Sequence, residues 1–245
     1  MKKVWGSPND FDSLQYETKE YYINGKKVSE KQFKQSNKKK LFVQIPDEII
    51  KNELFKIDAY TFSVYALLKH LHFRNFNNNE MQIDHNKLKH KLYISDNRTL
   101  KKALTELHKQ QIILEYINKL PTKGALKLTF DPVPFKSKKF TQLPVTVFNK
   151  IEHIGVIGLR LLFYYESFIN RKDKPEKQFA FPAIETTAET LKINKETVIK
   201  YNEILRKNKL LKIQKHQLMW DGEYDNDDLL YVKYNNHYFV RLENI

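Results

Sequence analysis

The chain has 245 residues and 41% hydrophobic side chains, enough for one large domain or two of ordinary size, and with only 6 glycines and 8 prolines it is not fibrous or linker-rich. Forty-three Lys and Arg against 29 Asp and Glu leave a net charge of +14, which favours a polyanionic partner such as nucleic acid or an anionic membrane. With no cysteine, disulfides and thiolate zinc fingers are excluded; no apolar run of about 18 residues spans a bilayer, and Met1-Lys2-Lys3-Val4-Trp5-Gly6 has no apolar signal core, so a bacterial cytoplasmic location is expected.

Residues 1–40 carry +5, are poor in Leu, Ile and Val, and end in Lys38-Lys39-Lys40. They bury too little to fold alone and are expected to be a basic arm. Within it, Tyr21-Tyr22-Ile23 and Lys26-Lys27-Val28 flank Asn24-Gly25, a pattern that predicts a two-residue hairpin. Ser29 and Gln32 have the spacing of a capping box opening a short helix.

Phe42-Val43-Gln44-Ile45-Pro46 opens the next region, and its pattern returns as Phe140-Thr141-Gln142-Leu143-Pro144 at an offset of 98 residues. The same offset matches Thr99, Leu107, Lys109, Ile112 and Ile113 to Thr197, Leu205, Lys207, Leu210 and Leu211. A repeat this long predicts duplicated domains. Their expected bounds are 41–135 and 136–245, joined by the stiff Asp131-Pro132-Val133-Pro134. Net charge is +4 over 41–135, +9 over 136–220 and −4 over 221–245.

Each unit begins with a long apolar helix, expected over about 59–73 and 157–169. Met81-Gln82-Ile83 and Phe179-Ala180-Phe181 are each long enough for one short strand. A second helix follows, capped by Asp84 and running to Leu92 in the first unit, and over 184–191 in the second. Tyr93-Ile94-Ser95-Asp96 and Lys192-Ile193-Asn194-Lys195 interrupt the helices with one apolar plug and capping residues, as a helix-turn-helix corner requires. A third helix is predicted from Leu100, Ala103, Leu104 and Leu107, and from Val198, Tyr201, Ile204 and Leu205. Strands over 112–117 and 125–130, turning at Pro121-Thr122-Lys123-Gly124, would complete a wing.

The run Pro182-Ala183-Ile184-Glu185-Thr186-Thr187-Ala188-Glu189-Thr190-Leu191-Lys192-Ile193-Asn194-Lys195-Glu196-Thr197-Val198 resembles the bacterial winged helix-turn-helix signature, and the first unit carries a weaker version. With the preceding Gln-Ile-Pro or Gln-Leu-Pro and long helix, the region from about Phe42 to Tyr234 is similar to plasmid and phage replication initiators. The resemblance implies an α+β, mainly α fold of two tandem winged helix-turn-helix domains, a pseudo-dimer, in a protein that binds repeated origin sites. The residues up to Ile245 are not expected to hold a helicase-loading or ATPase segment, so a transcriptional repressor or a conjugative-transfer accessory protein is the alternative.

In such a fold the second helix of the motif enters the major groove and residues near its N-terminus reach base edges. In the first unit these are Asn97, Arg98, Lys101, Lys102 and Thr105. Arg98 suits guanine O6 and N7, Asn97 suits adenine, and Lys101 and Lys102 suit phosphates. In the second unit Lys195, Glu196, Thr197 and Lys200 occupy the matching surface, with Thr197 suited to a phosphate at the helix N-terminus. Lys123 in the first wing and Lys38, Lys39 and Lys40 in the arm add phosphate or minor-groove contacts. The competing reading is that these cations only solvate helix faces, as most surface lysines do. The second wing instead carries Asp221-Gly222-Glu223-Tyr224-Asp225-Asn226-Asp227-Asp228, which phosphate would repel. It is expected to be a solvated loop or a contact for replication or regulatory proteins. The target would be an imperfect inverted or direct repeat, bound by a monomer acting as pseudo-dimer or by a homodimer.

Catalysis is not expected. His70-Leu71-His72 matches the His-hydrophobic-His pattern of rolling-circle nickases but falls in an apolar helix rather than on a strand, and His85 and His90 do not share a helical face for a metal. Glycines only at 6, 25, 124, 155, 158 and 222 assemble no phosphate-cradling loop. No cofactor and no metal are expected.

Overall fold

Side chains alternate in the two Phe-X-Gln-X-Pro segments between a buried and an exposed face, and in the computed structural model these segments are strands that pair with each other. The structure describes residues 21–23, 26–28, 41–53, 56–76, 78–131, 139–218 and 233–245. Over the described residues the fold is α+β, about half helical, with small antiparallel sheets. The arm hairpin is present as β1 (Tyr21–Ile23) and β2 (Lys26–Val28), with Tyr22 opposite Lys27. The Ser29–Gln32 cap, Lys38, Lys39 and Lys40, the Pro132 linker and the acidic stretch at 221–228 lie outside the described residues.

β3 (Phe42–Pro46) and β6 (Phe140–Pro144) run antiparallel, with Gln44 opposite Gln142, Phe42 opposite Pro144 and Pro46 opposite Phe140. Exchanging each residue for its copy 98 positions away reproduces the same pairing, so the two segments are related by a local twofold axis. Val43 and Leu143 point inward and Gln44 and Gln142 outward. A short α1 (Asp47–Ile50) follows β3.

α2 (Ala59–Arg74) is capped by Asp58, which accepts from the Thr61 N–H, and is apolar nearly all round. It is accordingly buried on nearly every side. Its counterpart α5 (Ile151–Glu166) starts earlier than the sequence predicts. It is broken at Gly155, whose φ of 63° leaves the helical region, and only beyond it does the helix correspond to α2. α2 packs against α5 with Phe62 and Phe163 edge to face at 5.5 Å. The Arg160 guanidinium lies 5.3 Å from the Phe62 ring centroid, so a residue again meets its own copy across the axis.

The first half continues with β4 (Glu80–Ile83), α3 (His85–Lys91), α4 (Asn97–Lys109) and β5 (Leu126–Thr129). The second has α6 (Ile184–Leu191), α7 (Lys195–Lys207), β7 (Leu211–Leu218) and β8 (Lys233–Val240). The α4 and α7 helices are both 13 residues long, and the left-handed Gln111 (φ 58°) and Lys209 (φ 59°) follow their C-caps.

Two strand expectations are corrected. The first is the hairpin over 112–117 and 125–130. β5 pairs with β4, and the 112–117 segment contributes one bridge, Ile113 to Phe130. The Glu115 carboxylate takes both the N–H and the hydroxyl of Thr129, at 2.6 Å each, and so occupies a donor that a paired strand would use. The second is a strand at 179–181, which makes a single bridge, Ala180 to Tyr238, while β7 and β8 pair along their whole length. Burial also shows that Ala180, not Phe179, is the counterpart of Met81. The left-handed Tyr93 and Lys192 share this one-residue slip, and a second-half turn shorter by one residue restores the original offset at Asp96 and Asn194.

In both halves the last described strand is central, flanked by the segment before the two successive helices and the segment after them. Buried residues of both halves form one continuous apolar cluster.

Candidate nucleic-acid interface

The α3–turn–α4 corner is set by local chemistry. Asp84 caps α3 by accepting from the Asn86 and Lys87 N–H groups. Left-handed Tyr93 turns the chain, Ile94 plugs the core, and Asp96 caps α4 through the Thr99 N–H at 2.7 Å and its hydroxyl at 2.9 Å. These Thr99 bonds hold the Asp96 carboxyl below the usual carboxylate range. Leu100, Ala103, Leu104 and Leu107 are buried, as their spacing predicts. The α6–α7 corner repeats the design with Asn194 accepting from the Thr197 N–H at 2.9 Å.

A groove of about 610 Å³ opens where the heads of α3 and α4 face the 118–122 loop. It is lined by His85 and Asn86 of α3, by Asn97, Arg98 and Lys101 of α4, and by loop residues that include Asn118, Lys119 and Thr122. Asn97 Oδ1 accepts from the Lys89 ammonium, and Lys101 donates to Asn118 Oδ1 at 3.4 Å. His85 is buried, which pushes its imidazole below the ordinary histidine range; Asp84 opposes the shift and Lys89 adds to it.

The other predicted residues are dispersed. Lys102 points to Asp58 at 3.7 Å, and Thr105 is half-buried on α4 beyond the groove. Lys123 is exposed beside left-handed Gly124. In the second half Lys195 pairs with Glu185 at 3.0 Å. The Glu185 carboxyl is held below its usual range first by its own backbone N–H and then by Lys195. Thr197 is half-buried with its N–H engaged by Asn194, and Lys200 is exposed. Lys38, Lys39 and Lys40 lie outside the described residues.

Sequence reasoning did not find His85, Asn86, Asn118, Lys119 and Thr122. A signal existed for the last three, since they flank the Pro121 turn beside two cations. It also missed a groove of about 460 Å³ at the other end of α7, where Arg206, Lys209, Lys212 and Arg241 converge around Glu243.

His70 and His72 are buried in α2, and His72 Nε2 lies 2.9 Å from Asn79 Oδ1. Among the described residues no group of three or more His, Asp or Glu could hold a metal ion, and no helix is long and apolar enough to cross a membrane. Compared with known proteins, the chain matches no protein-family model and no curated sequence.

Proposed function

We propose that the chain is a sequence-specific double-stranded DNA-binding protein built from two winged helix-turn-helix units, and that it acts as a replication initiator of a plasmid or phage without chemistry of its own. The observation that carries DNA binding is the groove at the head of α4, where Asn97, Arg98 and Lys101 face Asn118 and Lys119. Its polar groups are of the two kinds that duplex DNA requires. Arg98 has the fork that grips guanine O6 and N7, and Asn97 the amide that pairs with adenine once it exchanges its bond to Lys89. Lys101 and Lys119 supply cations for the flanking phosphates. The anionic Asp96 cap repels a phosphate from the N-terminus of α4 itself, and at α7 Glu196 in the first turn and the Lys195–Glu185 pair leave Lys200 as the cation for one.

The twofold relation between β3 and β6 favours an inverted over a direct repeat as target, because antiparallel copies present their reading helices in opposite senses. The initiator role rests on the resemblance of the helix-turn-helix run and the preceding Gln-Leu-Pro. Selection of bound fragments from random duplexes, followed by footprinting, tests the reading. An enriched imperfect inverted repeat beside a replication origin is the expected result. Sites confined to promoters would make the protein a repressor, and no enrichment over bulk duplex would reject sequence-specific binding.

A further inference from the structure

Alternation along β7 and β8 turns Leu211, Tyr238 and Val240 into the core and sends Lys212, His216, His237 and Phe239 to the outer face of the sheet. The Ala180–Tyr238 bridge places Phe179 and Phe181 on that same outer face. The rings interleave. Phe179 stacks on His237 at 3.8 Å, His237 stacks on His216 at 4.7 Å, and Phe239 lies 5.5 Å from Phe179 with the Lys212 ammonium 5.4 Å from its own centroid. Phe181 is 61% exposed, and His216 is exposed at the other end of the stack.

The first half supplies an internal comparison. Its corresponding face carries Glu80, Gln82, Lys127 and Thr129, so the architecture itself does not call for aromatic rings at these positions. The second-half face has no carboxylate at its described strand positions, and it adjoins the groove in which Lys209 and Arg241 gather beside Lys212. Stacked rings presented next to cations match a ligand that is both aromatic and polyanionic.

We propose that the outer face of the β7–β8 sheet is a stacking platform for single-stranded DNA. Unpaired bases stack on Phe181 and on the outward side of His216, extending the ring ladder at both ends. Lys212 and Lys209 neutralise the phosphates between them, and Arg241 joins them on exchanging its 3.3 Å pair with Glu243. Because every base offers a π-face, recognition is tolerant of sequence, and the face is unsuited to a duplex whose bases are already stacked. The choice of DNA over RNA rests on the function proposed above; the stacking face does not.

The test uses the full chain and fluorescence anisotropy with labelled oligothymidylate, oligouridylate and the selected duplex. Oligothymidylate should bind, and Phe181→Ala and His216→Ala should each weaken it roughly tenfold, the order of one lost base–aromatic stack. Both side chains are exposed, so the melting temperature should hold. Duplex affinity should also be unchanged in these variants, while Arg98→Ala should show the converse pattern. Four results would overturn the proposal: no binding of oligothymidylate, unchanged affinity in the double variant, binding of oligouridylate alone, or self-association of the nucleic-acid-free chain that Phe181→Ala abolishes. Oligothymidylate binding without any duplex preference would reject the function proposed above and leave the platform standing.

Discussion

Gln44 and Gln142 stand 98 residues apart in the chain and directly opposite each other in one two-stranded sheet, with Gln44 Nε2 donating to Gln142 Oε1 at 3.5 Å. The bond is exposed and weak, but the coincidence of copy and partner defines the geometry. Arg160 and Phe62, also copies, meet in the same way between α5 and α2. The repeated halves therefore share a sheet, a helix pair and a continuous core.

That sharing predicts cooperative unfolding. Val43 and Leu143 are buried cross-strand partners at the junction. Leu143→Ala should cost about 2–5 kcal/mol. In calorimetry the wild-type chain and the variant should each show one transition, the variant's at a lower temperature. Two resolved transitions in the wild-type chain would mean that the halves fold separately.

Arg160 clamps the junction. It is buried and donates to the Ile57 carbonyl and, at 2.7 Å, to Asn52 Oδ1, while Asn52 Nδ2 donates to the Thr190 carbonyl at 2.9 Å. Burial pulls its guanidinium down to about 10, against the influence of Asp58, so it stays charged at neutral pH. Arg160→Ala should destabilise the chain by about 3 kcal/mol, since it opens a cavity and strands the Ile57 carbonyl, whereas Asn52 Oδ1 keeps the Ile57 N–H at 3.2 Å. Arg160→Lys should not restore the loss, because a single ammonium lacks the planar fork. Urea midpoints of the two variants check this.

Gln111 and Lys209 hold the left-handed conformation just beyond α4 and α7, where a side chain is disfavoured. Replacing either with Gly should stabilise the protein by about 0.5–1 kcal/mol, with near-additive effects in the double variant. A fall in the melting temperature would show that these side chains hold contacts worth more than the relieved strain.

His85 makes stability pH-dependent. Burial holds its folded-state pKa below the ordinary histidine range, so the unfolded chain takes up the proton first. Its contribution is present above that range and is lost as pH falls through it. Between about pH 7 and pH 5 the wild-type urea midpoint should drop more than that of His85→Gln. Parallel curves would remove His85 from the account.

Lys101 and Lys102 are neighbours in sequence but differ in place, one lining the groove and the other leaning toward Asp58. On the selected duplex, Lys101→Ala should lower the slope of log affinity against log salt by about 1. Lys102→Ala should leave the slope nearly unchanged.

Local chemistry made much of this chain legible from sequence. The apolar spacing and the Asp96 and Asn194 caps marked α4 and α7, Asp84 marked the start of α3, and Asn24-Gly25 marked the arm hairpin, because helix ends and tight turns are decided within a few residues. Tertiary structure alone decided which strands pair. β5 pairs along its length with β4 and meets the 112–117 segment only at its end, since Leu126 and Leu128 bury against Ile83 and Met81 and Glu115 claims Thr129. It also decided the one-residue slip that turns Phe179 and Phe181 outward, because a strand's side chains change face with every step and only a partner fixes the register. The groove needed both kinds of information. Arg98 and Lys101 follow from the helix pattern, whereas Asn118 and Lys119 come from a loop that the β4–β5 pairing carries to the head of α4.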